Sequence, residues 1–169
     1  MNEVFDGIKS LREVCGAHAY LISSNVSNMI EIWSPNVTLE GDGYVLYQQT
    51  TKDILKRLAQ ILKGKQPSGV YSYLNDILEF TQELPKLKFE FNIKSLIDII
   101  KASLLTQIVK TGELLKRKNG TSMDHKWNKM YLLEVVNTAR LNAIYITAQT
   151  FYDELSKAGL SDGLTNSLL

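Results

Sequence analysis

Apolar residues recur at helical spacing through most of this chain. Val4, Ile8, Leu11 and Val14 fall three or four apart and predict a first helix over residues 3 to 15. Residues 16 to 38 lose that period. They are rich in Ser, Asn and Gly, with the short apolar patches Met29-Ile30 and Ile32-Trp33, and read as irregular. A second helix starts near Gly41 or Asp42, with Asp42 suited to the N-cap because its carboxylate accepts an orphan backbone donor. Its stripe of Val45, Leu46, Ile54, Leu55, Leu58, Ile61 and Leu62 runs until Gly64. After Pro67-Ser68-Gly69 a shorter helix covers about 71 to 83 and is closed by Pro85.

Residues 86 to 91, KLKFEF, alternate polar and apolar and read as an extended linker, since a lone strand has no partner. Beyond them lie two long helices. One spans 94 to 118, with Leu96, Ile97, Ile100, Leu104, Ile108, Leu114 and Leu115, and Asn119-Gly120 forms a left-handed stop. Thr121 and Asp124 form a capping box for the other, which runs to Lys157 before Gly159. So short a connection predicts antiparallel packing, and the tail beyond Gly159 reads as frayed. The fold class is all-α, a helical bundle.

Charge changes this picture little. Nineteen basic residues against eighteen acidic ones give a net charge of +1, which removes the general electrostatic argument for nucleic acid or an anionic membrane. The one cationic run, Lys116-Arg117-Lys118, sits where a helix C-terminus accepts positive charge. Cys15 is the only cysteine, so no intrachain disulfide forms, and a reducing compartment is expected. The amphipathic N-terminus has no uninterrupted apolar run of the signal-peptide kind, and no stretch reaches the roughly 18 apolar residues of a membrane span. The Asn-x-Ser/Thr triplets at Asn25, Asn36 and Asn119 are read as chance occurrences.

Familiar chemistry is sparse. His18 and His125 are far apart, and no Cys/His/carboxylate cluster has metal-ligand spacing, so no metal site is expected. There is no phosphate-binding glycine loop and no nucleophile elbow. The unusual stretch runs from Cys15 to Lys56, where CGAHAY leads through irregular chain to SPNVTLEGDGYVLYQQTTKDILK. A carboxylate such as Glu40, just before a helix N-terminus, is accounted for by the helix dipole and free amides alone.

The same stretch resembles the acyl-CoA oxidases, which carry a CGGHGY-type segment, then a TFEGEN-type segment, then a helix beginning TVMMLQTAR. Cys15-Gly16, His18 and Tyr20 match the first; Pro35, Thr38 and Glu40-Gly41 match the second; Val45, Gln49-Thr50 and Lys52 match the third, all without a gap. Ser72-Tyr73-Leu74-Asn75-Asp76 is similar to a SYLND segment of those enzymes, and Trp127-Asn128 resembles the opening of a long helix in their C-terminal domain.

The resemblance implies the C-terminal helices of an acyl-CoA oxidase fold. Residues 1–63 would be the last helices of the acyl-CoA dehydrogenase-like helical domain, 64–91 a connecting helix and linker, and 92–169 a partial C-terminal helical domain. It implies that Glu40 is the catalytic base, that Gly16, Ala17, Gly41 and Asp42 lie at the cofactor FAD, and that the substrate is an acyl-CoA. The flavin's pyrophosphate would be reached from the neighbouring subunit of a homodimer. The family is mostly peroxisomal, which the terminal Ser167-Leu168-Leu169 does not itself encode; the alternative address is the cytoplasm.

Ala17 and Ala19 stand where that pattern has glycines, and their methyls are compatible with an approaching phosphate only if φ is negative. Gly43 and Tyr44 replace an Asn and a small hydroxyl residue. The family's N-terminal helical domain and middle β-domain would have to come from elsewhere, as missing domains or a partner chain, because positioning supplies much of such a rate. The reading of a different class is a non-catalytic relic acting as a structural or interaction subunit.

Overall fold

A computed structural model of the chain describes residues 2–39, 41–82, 90 and 92–158. By its contacts the chain divides into two compact units, one ending at Leu46 and one beginning at Tyr47. Among the described residues every regular element is helical.

The first unit opens with α1, Asn2–Val14, which packs against α2, Val26–Trp33. Two 3₁₀ turns, Gly16–Tyr20 and Ile22–Ser24, join them, and a third, Pro35–Val37, follows α2 with its proline at the first position. Helix α2 departs from the irregular chain expected over residues 16 to 38. The Ser and Asn side chains that read as loop instead satisfy backbone groups locally. The Ser24 hydroxyl donates to the carbonyls of Leu21 and Ala19 at 2.7 and 3.0 Å, and Ser24 Oγ accepts from the Val26 amide at 3.3 Å. Asn25 takes the left-handed conformation, φ 61°, and turns the chain into the helix.

Helix α3 runs Gly43–Ile61, the division between the units falling after its first turn. The second unit continues with a 3₁₀ stretch, Gly69–Asp76, then α4, Ile77–Gln82, and α5, Ile93–Lys116. A short α6, Met123–His125, leads through a π turn, Lys126–Met130, into α7, Leu132–Lys157. The alternating segment at 86 to 91 lies outside the described residues except for Glu90, and so does the tail beyond Ala158.

Helices α5 and α7 are antiparallel. Leu115 and Arg117 at the end of α5 meet Lys126, ahead of α7, and Thr111 meets Thr138 a turn further in. The spacing of Ile97, Leu104, Ile108 and Leu115 puts one face of α5 in the core, with Ile54 and Ile61 from α3, Tyr73 and Leu74 from the 3₁₀ stretch, Ile77 from α4 and Tyr145 from α7.

Four local expectations shift. The helix expected over 71 to 83 is α-helical only from Ile77, because Tyr73 and Leu74, adjacent in sequence, are both buried, which the tighter 3₁₀ winding permits. Helix α5 stops at Lys116, with Arg117 extended, and Gly120 is left-handed (φ +74°) in the connection rather than at the helix end. The following cap falls on Ser122, whose hydroxyl accepts from the His125 amide at 3.3 Å, not on Thr121. The helix it opens is interrupted: the Tyr131 amide donates to the Lys126 carbonyl at 2.8 Å, the i to i+5 bond of a π turn.

Candidate functional site

The residues singled out by the sequence lie mostly in the first unit. Gly16 follows α1 with φ +59°, a conformation natural to glycine, and a Cβ there would meet nothing within 4 Å. Ala17 is exposed, and Ala19 is buried at 1% exposure. Neither has a positive φ, so the methyls that replace hydrogens in this turn carry no backbone strain. The Ala19 carbonyl accepts from the hydroxyls of Ser24 and Ser27 at 3.0 and 3.4 Å, which ties the Gly16–Tyr20 turn to the start of α2. Across the same turn the Arg12 guanidinium lies 5.1 Å from the Tyr20 ring centroid.

Position 40 lies outside the described residues, but both of its neighbours are defined. The Thr38 carbonyl accepts from the Gly41 amide at 3.0 Å, so the chain is turned tightly just before the helix. Gly41 has φ +122°, and a Cβ on it would sit 3.7 Å from the Leu46 side chain, an ordinary contact. Glycine is favoured there by the dihedral, not by lack of room. Asp42 Oδ1 accepts from the Tyr44 amide at 2.9 Å, the N-cap bond its position predicts. The Tyr44 ring is exposed. Gly16 and Ala17, with Gly41 and Asp42, are thus two ordered backbone features of one unit, each at the entry to a helical segment. Among the described residues no group of three or more His, Cys, Asp or Glu could hold a metal ion.

The later motif matches fall in the second unit and make structural ties. Tyr73 hydroxyl donates to Asn142 Oδ1 at 2.5 Å. Leu74 is fully buried, Asn75 Nδ2 donates to the Pro67 carbonyl at 3.1 Å, and Asp76 pairs with Lys101. Trp127 Nε1 donates to Gln48 Oε1 at 2.9 Å, and Asn128 Nδ2 to Asp124 at 2.7 Å. One tie had no sequence signal beyond a hydroxyl in an apolar stripe. Thr51, fully buried on α3, donates to the Val135 carbonyl at 2.6 Å and joins helices 84 positions apart.

The helical architecture matches the acyl-CoA oxidase fold. The crystal structure of an acyl-CoA oxidase from tomato (Lycopersicon esculentum) superposes with a TM-score of 0.82 at 23% identity, over 99% of this chain and 26% of that one. A family model described as acyl-CoA oxidase, C-alpha1 domain, matches residues 1–55, and one described as acyl-CoA oxidase matches residues 92–169. This chain belongs to the acyl-CoA oxidase family. The mouse (Mus musculus) peroxisomal acyl-coenzyme A oxidase 1 is 28% identical over 159 residues, 89% of this chain and 24% of the mouse protein. Its Arabidopsis thaliana counterpart is 38% identical over 69 residues, 41% of this chain and 10% of the plant protein. The chain spans about a quarter of the length of the mouse and tomato proteins.

Proposed function

We propose that this chain is the part of an acyl-CoA oxidase that carries the base, acting in fatty acid β-oxidation with domains supplied by the rest of the protein or by a partner chain. The observation that carries the reading is the glycine turn and cap around position 40, inside the segment matched by the C-alpha1 model. In this reading the Glu40 carboxylate takes the α-proton of an acyl-CoA thioester. That requires a dry surrounding that keeps the carboxylate basic, and donors that hold the thioester oxygen as negative charge develops on it.

The described residues fit FAD as the cofactor at the level of the backbone. Gly16 is open on its Cβ side, and Ala17 presents its methyl to solvent at negative φ, so neither obstructs a phosphate approaching the turn. FAD supplies the hydride acceptor for the β-carbon and the route for electrons to oxygen, giving trans-2-enoyl-CoA and hydrogen peroxide. Gly16 and Ala17 would line its pyrophosphate in a dimer, while Gly41 and Asp42, the two residues directly after the base, would also lie at the cofactor. The peroxisomal address follows the names of the relatives. Among the described residues no helix is long and apolar enough to cross a membrane.

Two measurements test the proposal. The chain, prepared with its native partners, is scanned for flavin absorption, which is expected; a colourless assembly would favour a structural subunit that has lost the chemistry. In the assembly that turns over, Glu40→Gln is expected to abolish peroxide production while circular dichroism stays unchanged. Undiminished turnover would remove Glu40 from the mechanism.

A further inference from the structure

The second unit holds a cleft of about 570 Å³ between α3, α5 and the segment 123–128. We propose that it binds an amphipathic anion, an aliphatic chain ending in a carboxylate. None of its residues belongs to the unit that carries Gly16 and Asp42, so the proposal stands whether or not the chain is catalytic.

The volume lies within the range of small-molecule sites, and its walls are apolar: Leu55, Leu58 and Leu62 on one side, Leu115 and Trp127 on the other. The Trp127 indole N–H is spent on Gln48, so the ring offers the cleft an apolar face. Met123 stands exposed at the lip, where a flexible thioether adapts to a chain of variable shape. The charged groups at the cleft are two cations and one anion. Lys52 and Lys116 are exposed and have no ion pair among the described residues, while the single carboxylate, Asp124, accepts from Asn128 at 2.7 Å, so the balance is positive. An apolar trough with two available ammonium groups favours a negative head and an aliphatic tail over a neutral or cationic ligand.

Gly112 supplies an independent observation. It sits inside α5, where glycine weakens a helix relative to alanine, yet its φ is not left-handed. A Cβ there would make only ordinary contacts, 3.7 Å from Leu55 and 4.0 Å from Leu58. Neither backbone geometry nor close packing therefore calls for glycine at this position. What its missing side chain does is leave the floor of the cleft open.

The test uses the full chain carrying Trp33→Phe, so that Trp127 is the sole tryptophan and is excited selectively at about 295 nm, with decanoate below its micellar range as the probe. Saturable binding is expected for decanoate, none for acetate, and at least about tenfold weaker binding for decyltrimethylammonium. Lys52→Ser with Lys116→Ser should weaken decanoate about tenfold at low salt, much less at high salt, and leave the cationic probe unaffected. Gly112→Leu should abolish binding by filling the floor, while Gly112→Ala keeps it. If Gly112→Leu does not fold, Ala59→Phe fills the cleft from α3, with calorimetry as the readout. Equal affinity for the cationic probe, or full binding in the filled variants, overturns the proposal. So does a response to decanoate that tracks protein self-association instead of ligand, which would make a second copy of the chain the occupant.

Discussion

The Tyr73 hydroxyl donates to the side-chain carbonyl of Asn142, 69 residues away, with both groups buried and the Tyr145 ring edge-on at 5.0 Å. This bond joins the 3₁₀ connection to α7 in the middle of the core. Tyr73→Phe leaves a buried amide oxygen without its donor, at a cost of about 1–3 kcal/mol in urea denaturation. Replacing both partners with apolar groups, Tyr73→Phe with Asn142→Leu, should recover a large part of that loss. A double variant no better than the single one would show that packing, not the bond, sets the cost.

Burial also gives the second unit an alkaline limit. The Tyr73 hydroxyl is pushed well above its ordinary value, first by burial and then by the nearby Tyr71 and Tyr145; burial raises Tyr145 as well. A phenol raised in the folded state favours folding fully below its unfolded value of about 10, and that contribution is lost as pH rises beyond it. Stability should therefore be flat near neutrality and fall above about pH 10, less steeply in Tyr73→Phe. Tyrosinate absorbance and circular dichroism recorded along one pH titration check this, and an identical slope in the variant would exclude Tyr73 as the source.

Lys126 caps α5 from outside. Buried at 6% exposure, its ammonium donates to the carbonyls of Leu115, at 3.4 Å, and Arg117. Those carbonyls are among the four that a helix end leaves unpaired, and the cation also meets the negative end of the dipole. Lys126→Met keeps the apolar stem and removes the donors, so a loss of about 1–3 kcal/mol is expected. Amide exchange should accelerate in the last turn of α5 before it does in the middle. Uniform acceleration along the helix would contradict a local capping role.

Much of this fold is legible in the apolar periodicity, and the reasons for the exceptions are specific. The 97, 104, 108, 115 stripe of α5 and the Asp42 cap follow from side-chain spacing and a short acceptor, both local properties. Helix α2 escapes because its Ser and Asn neighbours bond backbone groups a few residues away, a choice between loop and cap that composition does not decide. Lys126 reads as one more solvated charge, since nothing nearby in sequence announces the carbonyls of α5. Tyr73-Leu74-Asn75-Asp76 is recognisable as a motif, but its meaning lies in Pro67, Lys101 and Asn142. Gly16 and Gly41 are legible through resemblance, whereas the positive φ angles that favour glycine at both are not.

Those dihedrals lead to a local prediction. Asp42→Ala removes the acceptor for the Tyr44 amide and should cost about 0.5–2 kcal/mol of helix stability at the start of α3. Gly41→Ala has room, with Leu46 at 3.7 Å, but must hold φ at +122°, at a cost of about 1–3 kcal/mol. Gly112→Ala, in an ordinary helical conformation, should stabilise instead. Thermal melts of the three variants give the order, and a neutral Gly41→Ala would mean that the turn before α3 relaxes freely.

The first unit has little with which to hold itself together. Ala19 is its one buried apolar side chain among the described residues, while Leu11, Val14, Ile22 and Leu39 are each more than 60% exposed, Ile22 reaching 96%. A segment of this size rarely builds a sufficient core alone, and exposed apolar patches of this extent mark contact surfaces. The chain by itself is therefore expected to self-associate, with a sedimentation coefficient that rises with concentration. Ile22→Ser with Leu39→Ser should shift it toward monomer without changing the α5–α7 pair, whose amide exchange stays slow. A monomer at every concentration would show that this surface tolerates water, and would remove the main reason to look for a partner on it.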